Sequence, residues 1–256
     1  MMNRLGNYRG IGSPAPGMWG WWMATEAYVE DVGIPATRIT TDGADIGSLK
    51  DMSGNGRNAY SPSSLIAPTY RVNILNGLPI WRHSGTLALI STAGHIITNG
   101  IYSVYLVFRA LTWGNNIAIL SLDDDTGNIL IRTPNSGGSS GDWAIRNNSS
   151  GGSSASVNYP VNEFHMMAGT CGSSVTLYNQ KDAAAPVTGA GSVSGSVGAG
   201  ATRIQMGRLG DSGNPLHGEI AEMVLYNAYH GNPNTAPESL QTRRYLNRKY
   251  NLGLTI

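Results

Sequence analysis

Apolar positions crowd most densely near the C-terminal end of the chain. Between Gly218 and Asn227, Ile220, Met223 and Leu225 mix with Ala221, Val224 and Tyr226 in an almost continuous run. Such a run predicts a strand covered on both faces. The period then changes. Thr235-Ala-Pro-Glu238 has the form of a capping box with proline in the first turn, where a missing N–H costs nothing. Leu240, Leu246 and Tyr250 then share one helical face, which predicts a helix over about 236–251. Arg243, Arg244, Arg248 and Lys249 fall in its last two turns, where the helix dipole favours cations, and read as a solvated helix end. Gly253 is the expected C′ residue.

Everything before this reads as strands and turns. Met18–Met23, with Trp19, Trp21 and Trp22, is the expected first strand, close to Ile220–Tyr226 in space; its tryptophans read as core and sheet-face residues. Leu78–Arg82 and Leu87–Ile90 read as strands, and Ile101–Leu111 is rich in aromatic and β-branched residues. Ile117–Leu122 and Asn128–Arg132 flank an acidic turn and read as a hairpin. From Thr133 to Tyr159 one short strand, Asp142–Arg146, is expected between two long polar loops. Phe164–Ala168 and Ser174–Asn179 form the next pair, and Val187–Ala201 reads as a flexible Gly/Ser/Ala loop. Residues 1–17 carry Gly6, Gly10, Gly12, Pro14, Pro16 and Gly17 and read as an extended arm before a single domain, 18–256.

Several of these stretches carry a resemblance, in one consistent order. Gly218-Glu-Ile-Ala-Glu222 with Tyr226-Asn227, followed by Tyr245-Leu246 and Lys249-Tyr250, resembles the C-terminal signature of LamG-like (concanavalin A-like) jelly-roll domains. Asp51-Met-Ser-Gly-Asn-Gly-Arg-Asn58 is similar to that family's D-x-S-G-N-G-x-N turn, and Asn76-Gly77-Leu-Pro79 to its turn before a strand. Tyr102–Phe108 resembles its central strand, and Ile204–Arg208 the strand before the last. The matches run from about Trp19 to Leu252. They imply an all-β fold, an antiparallel two-sheet jelly-roll sandwich with one short C-terminal helix, and say little about ligand.

Composition narrows the function. Of 256 residues, 34 are glycine, well above the usual share of about 7%, as a fold with many tight turns requires. Charged residues make up 13% and the net charge is +1, which leaves no electrostatic footprint for nucleic acid. No stretch approaches the roughly 20 apolar residues of a membrane span, so no membrane insertion is expected. Cys171 is the one cysteine, which excludes an intramolecular disulfide and a thiolate metal site; it reads as a small, partly buried thiol.

Relatives of this fold include glucanases, whose carboxylates sit two and four residues apart on one strand face. This chain lacks that spacing. Glu219 and Glu222 are three apart, which on a regular strand places them on opposite faces, so no enzymatic activity is expected. The histidines, His83, His95, His165, His217 and His230, show no zinc-ligand spacing. For calcium, which many LamG-like domains bind, the densest oxygen cluster is Asp123, Asp124, Asp125 and Asn128; a hairpin turn uses the same residues for backbone reasons. For glycans, an aromatic beside amides and charges is the useful pattern. Trp113 with Asn115 and Asn116, and Trp143 with Asp142, Arg146 and Asn147, fit it; either tryptophan could instead plug a sandwich edge. The N-terminus lacks an unbroken apolar secretory segment. The expectation is therefore a structural or adhesion protein of a bacteriophage virion, on capsid or tail, partnered by itself, as a trimer for example, by other virion proteins, and by host-surface glycans. Leu5, Tyr8 and Ile11 would dock the arm on a neighbouring subunit. The alternatives are a cellular lectin-like module and a diverged glycan hydrolase or lyase.

Overall fold

The computed structural model describes residues 12–29, 37–61, 67–85, 90–92, 101–114, 117–122, 129–133, 142–146, 154–171, 174–180, 187–192, 204–208 and 215–256. Two antiparallel sheets face each other. The first runs in the order β15 (Val187–Ser192), β14 (Ser174–Gln180), β13 (His165–Cys171), β8 (Tyr102–Ala110), β17 (His217–Tyr226), β6 (Leu78–Ser84), β5 (Thr69–Leu75). β1 (Gly20–Met23) also pairs with β17. It lies along residues 222–225 while β6 lies along 217–220, so the two share one edge of the central strand. The second sheet runs β12 (Ser154–Asn158), β11 (Asp142–Arg146), β10 (Ile129–Arg132), β9 (Ala118–Leu122), β16 (Ile204–Met206), β7 (Ile90–Thr92), β4 (Ala59–Tyr60), β3 (Ser48–Leu49), β2 (Ala27–Tyr28). The chain is an all-β, antiparallel two-sheet sandwich closed by one C-terminal helix, α1 (Pro237–Tyr250).

Period-two alternation divides β8 between two cores. Tyr102, Val104, Leu106 and Phe108 point between the sheets, with Trp22, Trp81, Ile119, Trp143 and Met206. Tyr105 and Val107 point outward, where α1 covers them with Tyr245, Leu246 and Tyr250. Each large apolar side chain fully buried in these layers contributes about 1.5–3 kcal/mol relative to an exposed one. Both faces of β8 and of β17 are thus covered, as their unbroken apolar sequences require.

Two turns fasten the edges. The Asp51–Asn58 turn is a staple. Asp51 accepts hydrogen bonds from the backbone N–H groups of Trp21, Ser53 and Arg57 and from the Ser53 hydroxyl. Arg57 stacks over Trp19 at 4.4 Å, and its carbonyl accepts from Trp22 Nε1. The turn therefore holds β1 in place. Asn76 and Gly77 both have positive φ, 50° and 81°, which is the pair a two-residue hairpin turn between β5 and β6 needs. The Asn76 amide then reaches across to donate to the Tyr250 and Asn251 carbonyls at the end of α1.

The structure departs from the sequence-based expectations at several points. Val187–Ser192 and Ser154–Asn158 are strands, each at a sheet edge, where loops were expected. The helix N-cap is Ala236 with no side-chain cap, so Thr235 does not form a capping box; the Ala236 and Thr235 N–H groups bond to the Asn232 carbonyl instead. The helix ends at Asn251 in the left-handed conformation, two residues ahead of Gly253, whose own φ is 70°. Leu240 is only half-buried. Arg243 and Lys249 are buried: Arg243 binds the Pro233 carbonyl and Asn234, and Lys249 binds Glu222. Only Arg244 and Arg248 of the cationic group are solvated. The expected arm meets the domain before Met18. Ala15 is fully buried, donates to Thr242 Oγ1, and accepts from the Tyr226 hydroxyl. Leu5, Tyr8 and Ile11 lie outside the described residues.

Replacing Asp51 by Ala strands three backbone donors, two of them from the turn itself. Asp51→Ala is expected to lower unfolding stability by about 3 kcal/mol, in line with charged hydrogen bonds of about 1.5–3 kcal/mol each. Urea denaturation checks it; a loss under about 1 kcal/mol contradicts the staple.

Candidate functional site

The chemistry gathers on the outer face of the first sheet, and a bulge in β17 decides its layout. Ile220 is opposite Phe108 and Glu222 is opposite Val107, so Ala221 is an extra residue with no partner on β8. Glu219 is opposite Arg109, two residues from Val107. Both glutamates therefore lie on the outer face. This corrects the expectation of opposite faces, which holds only for an unbroken two-residue period.

Neither carboxylate is free. Glu222 accepts from Trp21 Nε1, Tyr250 Oη and Lys249 Nζ, and Lys249 also donates to Tyr245 Oη. Glu222 is fully buried and the Lys249 side chain is 4% exposed, so this ion pair sits in the seam between sheet and helix. Glu219 is bound on both sides by Arg82 and Arg109. The arrangement clamps elements together and offers no unpaired acid or base.

Beside the Glu219 pairings the sheet face runs into an open groove of about 550 Å³. Ser84 and Gly85 line it from the end of β6, Thr112 and Gly114 from the segment after β8, and Pro215 and His217 from the start of β17. Its floor is knitted by backbone bonds: Gly85 donates to Leu216, and Leu111 donates to the His217 carbonyl. Gly85 has φ of +77°, and a Cβ there would sit 3.1 Å from that of His217, so both backbone and space favour glycine. Hydroxyls and an imidazole on a concave surface can hydrogen-bond a polar ligand, and the volume is that of a small-molecule site.

The sequence-predicted residues divide. Trp113 lies between two groove residues and is half-buried, edge-on to Trp143 at 6.2 Å. Trp143 is 0% exposed and also packs edge-on to Phe108, 5.5 Å away. It is a core residue and presents no face to a glycan, because its side of β11 points between the sheets. The backbones of Asp142 and Arg146 lie on the same strand. Asn115, Asn116 and Asn147, and the calcium candidates Asp123, Asp125 and Asn128 with Asp124, lie outside the described residues. Among the described residues no three His, Cys, Asp or Glu side chains gather as metal ligands would. Cys171 is fully buried, and burial pushes its thiol up to about 12 against the opposing hydrogen bond with Tyr102, so it is no nucleophile at neutral pH. Sequence reasoning missed Ser84, Thr112 and His217 because they are brought together only by the pairing of β6, β17 and β8.

No family model matches the chain, and no curated protein matches it. Its likeness is to solved structures. Domain 4 of AbnA, an extracellular GH43 arabinanase from Geobacillus stearothermophilus solved with arabinotriose, is 16% identical, with a TM-score of 0.55 over 77% of this chain and 92% of that one. Trypanosoma rangeli sialidase, solved with the inhibitor DANA, is 12% identical with a TM-score of 0.54 over 94% of this chain. A GH54 α-L-arabinofuranosidase is 12% identical with a TM-score of 0.53 over 95% of this chain. The chain spans 34% of the sialidase and 65% of the GH54 enzyme. At these identities the likeness is one of fold, the antiparallel β-sandwich.

Two outcomes follow from the geometry. Lys249→Met leaves a buried carboxylate without its cation and is expected to cost about 3–5 kcal/mol, while Lys249→Met with Glu222→Gln recovers most of it. Denaturant titration of the single and double variants checks this; equal losses in both would contradict a buried ion pair. His230 supplies a pH dependence. Burial lowers its pKa below the usual 6.5, against a smaller opposing pull from Glu238. Its Nδ1 lies 3.0 Å from Tyr105 Oη and its ring 4.1 Å from that of Tyr226. The unfolded chain therefore takes the proton first. The stability this ring contributes is present above pH about 6.5 and is lost as pH falls through the folded value. Melting temperature is expected to drop from pH 7.5 to pH 5, and His230→Gln should flatten part of that drop. Identical slopes would contradict the assignment.

Proposed function

We propose that the chain is a non-catalytic adhesion module that binds carbohydrate in the groove at the end of the sandwich. The observation that carries this reading is the groove itself. It brings two hydroxyls, Ser84 and Thr112, and the His217 imidazole onto one concave face, and Trp113, half-buried against the core, lies in the chain between the groove residues Thr112 and Gly114. Sugars offer hydroxyls to hydrogen-bond and an apolar ring face to pack against an aromatic, so this is the chemistry that suits them. The carboxylates a glycosidase would use are, on this face, committed to arginines and a lysine. Domain 4 of AbnA, which shares the fold, was solved with arabinotriose, and the reading extends carbohydrate binding to this chain. Its finer form is an adhesion subunit of a bacteriophage particle, on capsid or tail, assembling with itself or with other virion proteins. Mass spectrometry of purified particles checks that form, and absence of the chain from them removes it.

Binding is tested on a glycan array spanning neutral and acidic oligosaccharides, followed by calorimetry of the hits. Trp113→Ala and Thr112→Val are each expected to weaken binding about tenfold, equivalent to about 1.4 kcal/mol. No reducing sugar should be released from any bound glycan. Release that vanishes in Glu219→Gln or Glu222→Gln would overturn the non-catalytic reading, and an array without hits would overturn the carbohydrate reading.

A further inference from the structure

The groove has a charged neighbour that the proposed binding does not use. Arg82, Glu219 and Arg109 stand directly opposite one another on β6, β17 and β8. The Glu219 side chain is 0% exposed, whereas Arg82 and Arg109 are 27% and 24% exposed. Arg82 donates through Nε, at 2.8 Å, and Nη2 to one carboxylate oxygen; Arg109 uses Nε, at 2.7 Å, and Nη2 on the other. Both oxygens of Glu219 are thereby used from the inner edges of the guanidiniums. Among the described residues nothing accepts from Nη1 of either arginine. Two positive groups against one negative group leave one positive charge in the row.

The row is also rigid. Arg109 lies over the Phe164 ring, 4.6 Å from its centroid, which fixes the plane of its guanidinium. A buried carboxylate anchored in the central strand orients both forks from below, as a supporting group does for a binding side chain. Such preorganised forks match the planar two-oxygen geometry of a carboxylate better than a lysine ammonium would.

Position links the row to the groove. Ser84 follows Arg82 by two residues and His217 precedes Glu219 by two, so on pleated strands they share the outer face, about 7 Å further along. We propose that the groove is selective for a carboxylated sugar, whose ring lies against Ser84, Thr112 and His217 and whose carboxylate is held on the outer edges of Arg82 and Arg109. This rests on the carbohydrate reading of the groove. A neutral sugar would leave the surplus charge of the row unmatched; Asp42, the acid whose charge reaches Arg82, is itself bonded to the Arg71 guanidinium.

The test uses the full chain and matched probes: oligogalacturonate against its neutral oligogalactose counterpart, and a sialylated trisaccharide against its asialo core. Calorimetry is run at low and high salt with the wild type, Arg82→Lys, Arg109→Lys and Trp113→Ala. The lysine variants keep a cation beside the buried Glu219, so they remove the fork without orphaning the carboxylate; unchanged melting temperature confirms that they fold. At least one carboxylated probe is expected to bind about tenfold or more tighter than its neutral partner. That advantage should shrink with salt and fall about tenfold in either lysine variant, while Trp113→Ala weakens acidic and neutral probes alike. Equal binding of acidic and neutral probes, sensitive to Trp113→Ala, ends the charge selectivity and leaves carbohydrate binding standing. Acidic preference untouched by both lysine variants also overturns the assignment. Binding of none of the probes ends both readings.

Discussion

The bulge at Ala221 is the constraint on which the outer layer depends. β17 is the central strand of its sheet, and one extra residue separates its two halves. The first half, 217–220, pairs with β6, and the second, 222–225, with β1. The extra residue restores a shared face to two glutamates spaced three apart. Glu219 can then anchor the arginine row near the groove while Glu222 anchors the helix through Lys249 and Tyr250. Ala221 contributes to the clamp itself, since its carbonyl accepts from the Tyr250 hydroxyl.

Around this clamp the sheet–helix seam is unusually polar, and each polar group in it has a partner. Tyr105 meets Ser239, Tyr226 meets Thr242, and Thr242 also accepts from Ala15 at the start of the packed chain. Burial raises Tyr226 to about 12, so its hydroxyl stays neutral and free to donate to the Ala15 carbonyl. Buried hydrogen bonds fix geometry more sharply than apolar contact alone, because an unmade one costs about 1–3 kcal/mol. The helix is thereby held at one height on the sheet.

Much of this was legible in the sequence where side chains carry the signal. The unbroken apolar runs of β8 and β17 announced strands covered on both faces, the first tryptophan strand did pair with β17, and the helix bounds differ from expectation by a single residue at each end. The Asp51 turn was visible as a motif, although only the structure shows that it is a staple. Other features were silent for physical reasons. β12 and β15 are built from Ser, Ala, Gly, Thr and Asn with a single valine each, and hold their place at sheet edges by backbone pairing. The bulge hides inside a run where every residue is apolar or glutamate, so no alternation marks the skipped beat. Arg243 and Lys249 looked like a solvated helix end because their partners, Pro233, Asn234 and Glu222, are set by tertiary packing. Trp143 was the opposite case. Its two-residue spacing from Ile145 already offered a core reading, and the polar residues around it drew attention from that pattern.

One extra residue is what lets glutamates spaced three apart share the outer face, so the most direct measurement removes it. Deleting Ala221 turns β17 into a regular strand in which Glu219 and Glu222 still share the outer face. Deleting Val224, in the regular half, instead moves Leu225 and Tyr226 to the wrong faces. The two deletion variants are compared by far-UV circular dichroism and thermal melting. The Ala221 deletion is expected to keep a cooperative all-β melt at reduced temperature, while the Val224 deletion loses cooperative unfolding. Equal loss of cooperative folding in both variants would contradict it.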